Sequence, residues 1–262
     1  MSAPANPAAT ANPYESDRFL AEYLLFHFGK DHEVLPWESG PRDALGFVRR
    51  TARAAQAASP KGGRALDVGC AVGGATFALA DHFDEVTGID FSSSFIQAAN
   101  QLLTGKGIDY PRIEEGSVTT TLRVDPPAIR NPKGIHFQQG DATNLSRNLG
   151  PFDCVHAANL ICRLPEPMRF LDQAPSLIKP GGSLVLATPC TWLEEYTPRN
   201  KWLGGYSENG KPVATLDRLK AILEPNFDLE TRCDEPFLIR EHARKYQWSV
   251  SLLTTWRRKA GH

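Results

Sequence analysis

The chain has 262 residues, with 29 lysines and arginines against 30 aspartates and glutamates, so its formal net charge is −1. This balance argues against a nucleic-acid binder that works through a basic face. Hydrophobic residues make up 41% of the chain, enough for a core and too many for a disordered polymer. No apolar run approaches the roughly 18–20 residues that span a bilayer. Residues 1–10 lack the basic stretch and apolar centre of a signal peptide. Cys70, Cys154, Cys162, Cys190 and Cys233 lie far apart, with no C-x-x-C pair. The expectation is a reduced, cytoplasmic protein with buried thiols and no metal site.

Residues 1–13 are mostly Ala, Pro and Asn and read as a disordered tail. From Tyr14, Phe19, Leu20, Tyr23, Leu24, Phe26 and His27 recur at helical spacing until Gly29 stops them. A second helix is expected over residues 43–57, ending at the Pro and Gly residues of 59–63. Residues 14–62 thus form an N-terminal helical lid, followed by a core over 63–262. In that core the pattern predicts strands at 64–69, 85–90, 134–141, 152–158 and 183–188. Helices are expected at 73–82, 95–103 and 167–177, the last ending or breaking near Pro175, with a turn at 179–182. Such alternation means an α/β fold with a parallel sheet covered on both faces. A helix at 216–223 leads to a strand at 227–232. Trp248, Val250, Leu252, Thr254 and Trp256 then share one face of a period-2 segment, which suggests an antiparallel pair at the sheet edge.

Two stretches exceed a minimal doubly wound fold. Residues 104–133 contain 117–124, a strand of an inserted β-hairpin. Residues 189–213 carry Trp192, Tyr196, Trp202 and Tyr206 among glycines. A long aromatic loop after a core strand is a usual place for a substrate pocket. Simple packing of the loop is equally open for any one of these aromatics.

Chemistry gathers at successive strand ends. Residues 67–74 form a glycine-rich strand-to-helix turn, which lets a ligand reach backbone N–H groups at a helix start. The dinucleotide fingerprint Gly-x-Gly-x-x-Gly is not met, because Ala71 stands where its second glycine belongs. Asp67, two residues before Gly69, suits a cationic amine and would repel a pyrophosphate. Together these favour a cofactor with a zwitterionic amino-acid end. Asp90 ends the next strand, 23 residues after Asp67, where a carboxylate can accept from both ribose hydroxyls. Asp141, followed by Ala142, ends a third strand and can accept from an exocyclic amine. Asp153 precedes the small residues Ala157 and Ala158, and Asn159 then offers a donor and an acceptor. Residues 179–182 read as a structural glycine turn.

In order, residues 67–74, Asp90, Asp141 with Ala142, Asp153 and residues 179–182 resemble the motif set of Rossmann-like S-adenosylmethionine-dependent methyltransferases. The resemblance covers about residues 63–258. It implies a seven-stranded, mostly parallel sheet with an antiparallel last hairpin. The implied cofactor-binding residues are Asp67, Gly69, Cys70, Ala71, Gly73, Asp90, Phe91, Asp141, Ala142, Asn159 and Leu160. A narrower likeness spans nearly the whole chain. Residues 12–29, 66–76, 88–102, 159–164, 188–198 and 201–206 are similar to the methyltransferase domain at the C-terminus of ovothiol synthases. That family methylates an imidazole nitrogen of 5-thiohistidine (4-mercaptohistidine), giving ovothiol A. The fused sulfoxide-synthase part is missing here, so the likeness implies a stand-alone version whose amino-acid substrate another protein supplies.

For that reaction Tyr14, His27, Asn159 and Tyr206 are the catalytic candidates, as base or as partners that fix the acceptor's tautomer. Tyr23 and Tyr196 extend the substrate set. Arg163, Arg199 and Lys201 are candidate carboxylate anchors, and Trp192 and Trp202 candidate ring walls. His27 stands equally as a packed helix residue. Another small-molecule acceptor, or a non-catalytic cofactor-binding subunit, are the competing readings. No nucleic acid, membrane or metal is expected.

Overall fold

The computed structural model describes residues 13–146 and 148–260. Most of the tail expected over 1–13 lies outside the described residues, and Pro13 already opens a 3-10 turn, Pro13–Glu15. Helix α1 (Asp17–Phe28) follows. The Ser16 hydroxyl accepts from the Phe19 N–H, and Gly29 ends the helix. Short α2 (Asp31–Val34) and a 3-10 turn at Arg42–Ala44 lead to α3 (Phe47–Ala58). The second helix thus starts four residues later than its apolar pattern suggested, because Gly46 takes a left-handed φ of 71° as its cap.

The core then runs β1 (Arg64–Val68), α4 (Gly74–Leu79), β2 (Glu85–Asp90) and α5 (Ser93–Leu103). The first insertion is the hairpin β3 (Ile108–Glu115) and β4 (Val118–Val124). Next come β5 (Ile135–Gln139), β6 (Phe152–Ala158), α6 (Pro167–Leu177) and β7 (Ile178–Thr188). The second insertion holds a 3-10 turn, Arg199–Lys201, and a small hairpin, β8 (Tyr206–Glu208) with β9 (Lys211–Val213). Helix α7 (Thr215–Leu223) precedes the last strands, β10 (Phe227–His242) and β11 (Lys245–Arg258).

The main sheet has seven strands in the order β10-β11-β7-β6-β1-β2-β5. Pairs β1–β2, β1–β6, β2–β5 and β6–β7 are parallel. β11 is antiparallel to both β7 and β10. This is the predicted Rossmann-like sheet with a reversed hairpin. β1 is buried along nearly its whole length, as a strand covered on both faces must be. Residues of α1, α3, α4 and α5 join one apolar core, and those of α6 and α7 join the other. Strand order reverses at β1, which has β2 on one side and β6 on the other. The crevice at the carboxyl ends of these strands is where open α/β sheets bind ligands.

Helix α6 spans the expected 167–177 and ends just after Pro175, which lies in its last turn and removes a single N–H bond there. Two expectations are corrected. Residues 179–182 are the first part of β7 rather than a free turn, with a register shift between Phe152 and Cys154 that accommodates them. β10 extends ten residues past the strand expected at 227–232, since its partner is the projecting part of β11 rather than the core.

Candidate active site

The turn after β1 is shaped by backbone conformation. Gly69, Ala71 and Gly73 have φ of 75°, 47° and 88°. Gly73 needs its missing side chain twice over: a Cβ there would lie 2.7 Å from Cζ of Phe137. Leu160 covers Gly69, where a Cβ would lie 2.9 Å from Leu160 Cδ1. The N–H groups of Gly69 and Cys70 donate to the Ile89 carbonyl, so Cys70 does not offer its N–H to a ligand.

Asp90 ends β2 beside this turn. One carboxylate oxygen accepts from the Ala71 N–H and the other from the Ser92 N–H, both at 2.9 Å. Each oxygen keeps a further lone pair. Burial pushes this carboxyl up to about 6, against the pull of those N–H groups. In register with Asp90 on β5 is Gln139, and the Gly140 N–H donates to the Asp90 carbonyl. That places Asp141 next along the rim. Its Oδ1 accepts from both the N–H and the hydroxyl of Thr143, and its exposed side leaves Oδ2 open. Phe91 is 61% exposed, a bare ring between the two acids in sequence. The donors, the open oxygens and the exposed ring fit an adenosine.

Asp67 departs from expectation. It is 1% exposed, its Oδ2 accepts from the Thr76 hydroxyl at 2.6 Å, and its Oδ1 meets His156 Nδ1 at 2.8 Å. With both oxygens engaged inside the fold, it fixes the turn from within and is not an open ligand. His156 and Thr76 were missed in the sequence. The available signal was a histidine in the middle of the otherwise apolar run 154–158.

The lid brings a second group together. His27, on α1, accepts the Gly74 N–H at Nδ1, 3.2 Å away, and so serves α4 as the N-terminal cap that Gly73 cannot provide. Burial pulls its pKa down to about 4, with Asp67 opposing. It is neutral and carries its proton on Nε2. The base expected at His27 is thereby corrected: its lone pair is spent on Gly74, and only a donor remains. Tyr23 lies 5.9 Å from the His27 ring and 4.9 Å from Phe95. Tyr14 lies 5.9 Å from Tyr23, and its hydroxyl shares a hydrogen bond with Tyr196. Burial raises both Tyr14, far above its ordinary range, and Tyr23, to about 12. Both therefore stay protonated near neutral pH.

Arg163 completes the cluster. Its guanidinium stacks 4.6 Å from the centre of the Tyr196 ring, and Nη1 donates to the carbonyls of Cys162 and Thr191. Among the described residues no carboxylate pairs with it. The other two candidate cations are already engaged on the exposed Arg199–Lys201 turn. Arg199 lies 4.0 Å from Glu194 and stacks on Trp202, and Lys201 lies 3.8 Å from Glu166. Trp192 is corrected from ring wall to core: it is 6% exposed and its indole N–H donates to Thr215. Trp202 also turns inward, donating to the Thr197 carbonyl. Tyr206 pairs with Val213 in the small hairpin and makes no described contact with the cluster. Asn159 has φ of 54°, and its side-chain carbonyl accepts from Ser251, at 2.6 Å. Its NH2 group remains the atom available to a ligand. Ser251, on the late strand β11, carried no local signal.

Fold and site together define an α/β protein of the doubly wound type. The pattern of the methyltransferase-domain family matches residues 42–249, and the chain belongs to that family. It is 30% identical over 128 residues to a ubiquinone biosynthesis O-methyltransferase of Coxiella burnetii (strain Dugway 5J108-111), covering 49% of this chain and 44% of that one. With the enzyme of the same name from Xanthomonas campestris pv. campestris (strain B100) it shares 31% identity over 150 residues, 56% of this chain and 52% of the other. The chain thus spans about half the length of these curated relatives. Among solved structures, the N-methyltransferase NodS of Bradyrhizobium japonicum WM9, in complex with S-adenosylhomocysteine, superposes with a TM-score of 0.52. That match has 18% identity and covers 90% of this chain and all of NodS (100%). A S-adenosylmethionine-dependent methyltransferase of Methanosarcina mazei gives 0.50 at 18% identity, covering 77% and 94%. At such identities the structural matches speak for the fold. Among the described residues no helix is long and apolar enough to cross a membrane.

Proposed function

We propose that the enzyme methylates a ring nitrogen of 5-thiohistidine, giving ovothiol A. The observation that carries this reading is Arg163, a cation without an acidic partner among the described residues, gathered with Tyr14, Tyr23, Tyr196 and His27 beside the glycine turn. A polar cluster with one cation suits a small amino-acid acceptor. The likeness of the lid and of residues 188–206 to ovothiol-synthase methyltransferase domains supports the choice of acceptor. A separate sulfoxide synthase would supply it.

Asp90 would hold the ribose of S-adenosylmethionine, Asp141 and Phe91 its adenine, and the turn 69–74 its methionyl end. When bound, it supplies an electrophilic methyl group on a sulfonium. The chain's part is alignment, since an in-line displacement needs the attacking atom held in one direction. Arg163 binds the acceptor carboxylate, with a planar fork that matches it. The thiolate of the acceptor is softer and more reactive than its ring nitrogen, so selectivity requires that the sulfur be turned away. The hydroxyl of Tyr23 and the Nε2–H of His27 are donors suited to holding it, while the Tyr14 hydroxyl is bonded to Tyr196. None of these groups is a base near neutral pH, because burial keeps the tyrosines protonated and His27 has no free lone pair. The pocket therefore orients and selects. The Asn159 NH2 is a further donor at the end of β6.

A second reading, transfer to the oxygen of another small acceptor, is favoured by the names of the curated relatives. The test is mass spectrometry of the protein incubated with S-adenosylmethionine and 5-thiohistidine, with histidine and a catechol in parallel, and NMR to locate the methyl. Methyl on the ring nitrogen is the expected product. Methyl on sulfur, or a product from the catechol alone, would overturn the proposal.

A further inference from the structure

The three residues that open the described chain are bound to the first turn of α5. The carbonyl of Tyr14 accepts from the hydroxyls of Ser92 and Ser94, at 3.1 and 3.2 Å. Glu15 Oε1 accepts from the Ser93 N–H at 2.8 Å. Its Oε2 accepts from the Ser93 hydroxyl at 3.1 Å and the Ser94 N–H at 3.2 Å. These serines follow Asp90 directly, and Ser92 is itself bound to the Asp90 carboxylate. Glu15 thus fills the role of an acidic helix-end partner, supplied from 78 residues away in sequence. Tyr14 is consequently held at both ends. Its main chain is fastened to α5, and its side chain reaches Tyr23, Phe95 and Tyr196.

We propose that Glu15 is a positioning residue: by latching residues 13–15 to Ser93 and Ser94 it holds Tyr14 in the acceptor pocket, so that the pocket is complete only while the latch is closed. This rests on the cluster around Arg163 being the acceptor site. Glu15 is exposed and its partners are the serines at the start of α5, so its removal leaves the sheet and the glycine turn intact. Ser92 bonds both the Asp90 carboxylate and the Tyr14 carbonyl, so the latch is coupled to the acid proposed for the ribose, and opening it loosens the hold on the cofactor product.

The experiment compares wild type, Glu15→Ala and Glu15→Gln in the full chain, with Tyr14→Phe and Arg163→Gln as pocket variants. With 5-thiohistidine as probe, Glu15→Ala is expected to raise the acceptor KM about 5- to 10-fold, the scale of a lost helix-end interaction, and to change kcat less than about twofold. Glu15→Gln keeps an oxygen for one N–H and falls between. An acceptor-free readout accompanies this: S-adenosylhomocysteine is expected to dissociate about 5- to 10-fold faster from Glu15→Ala in stopped-flow displacement. Unchanged KM with unchanged release would overturn the latch, as would a fall in kcat at unchanged KM. If 5-thiohistidine is not turned over, the release rate alone decides it. If Tyr14→Phe and Arg163→Gln leave kcat/KM untouched while release still quickens in Glu15→Ala, the latch stands as a cofactor gate. In that case its link to the pocket fails together with the pocket reading.

Discussion

Asp90 meets two opposed demands. In the proposed ribose-binding role its carboxylate must be charged to accept from two hydroxyls, yet burial raises its pKa to about 6. A carboxyl whose folded pKa lies above its unfolded value contributes stability below the unfolded pKa, and that contribution is lost as pH rises through the folded one. Ionised Asp90 therefore weakens the ligand-free protein at neutral pH, and hydroxyl donors from the cofactor would offset that. The thermal stabilisation by S-adenosylhomocysteine should accordingly be larger at about pH 7.5 than at about pH 5. A calorimetric scan showing the opposite order would sink the ribose assignment. Asp90→Ala should weaken cofactor binding about 10- to 100-fold, corresponding to roughly 1.5–3 kcal/mol for hydrogen bonds to a charged group. Titration calorimetry measures it, and an unchanged Kd would remove Asp90 from the site. At this scale the sequence was informative where spacing carries the chemistry, as for Asp90 and Asp141, each one strand end further along. It was not informative where partners come from distant segments. Nothing near Asp67 announced that His156 and Thr76 would take both of its oxygens, and nothing near Asn159 announced Ser251.

The lid helix and the glycine turn depend on each other. His27 occupies the space that a side chain at Gly74 would need: a Cβ there would lie 2.6 Å from its Nδ1 and 2.9 Å from its Cβ. Gly74 has an ordinary helical φ, so a substitution there tests the contact and not backbone strain. Gly74→Ala should force α1 outward and cost about 1–3 kcal/mol, the usual range for overpacking. In a His27→Ala background the same change should cost much less. A double-mutant cycle by urea denaturation measures the difference, and strict additivity would show that the two residues do not share the contact. The elements themselves were largely legible, because apolar period and glycine position dictate β1, β2, β6 and α1. The departures have local causes. Pro180, Gly181 and Gly182 look like a turn, yet the Lys179 ammonium bound to Asp153 helps keep that segment on the edge of β6. The aromatic loop 189–213 gave Trp192 and Tyr196 the same appearance. Only folding shows that Trp192 reaches Thr215 in the core while Tyr196 faces Arg163.

At the scale of the whole molecule, the β3–β4 hairpin and the outer part of the β10–β11 pair brace each other. β7 pairs with β11 only over residues 252–257, so the outer halves of β10 and β11 project beyond the sheet as a two-stranded arm. A two-stranded ribbon alone is marginal in water. The β3–β4 hairpin supports it: the Ala243 N–H donates to the Glu114 carbonyl, and Glu114 Oε2 accepts from Arg240 Nη2 at 2.6 Å. The Glu114 carboxylate also holds Arg112, whose guanidinium reaches back to the Glu33 carbonyl beneath the lid. The Arg240 side chain is 2% exposed, and among the described residues its Nε has no partner and Glu114 is the sole acid paired with this buried cation. Removing one member of such a pair strands the other. Glu114→Ala should therefore destabilise the protein by about 3 kcal/mol, the lower end of the range for an uncompensated buried charge, because Glu114 itself is partly exposed. Removing both charges, in Glu114→Ala with Arg240→Met, should recover most of that loss, since an apolar side chain needs no partner. Urea denaturation of the two variants decides the matter. A loss under about 1 kcal/mol in the single variant, or a double variant as weak as the single, would mean that the arm is held by backbone pairing and apolar contact. S-adenosylhomocysteine affinity should be unchanged in both variants, because no residue of this bridge belongs to the crevice at the end of β1.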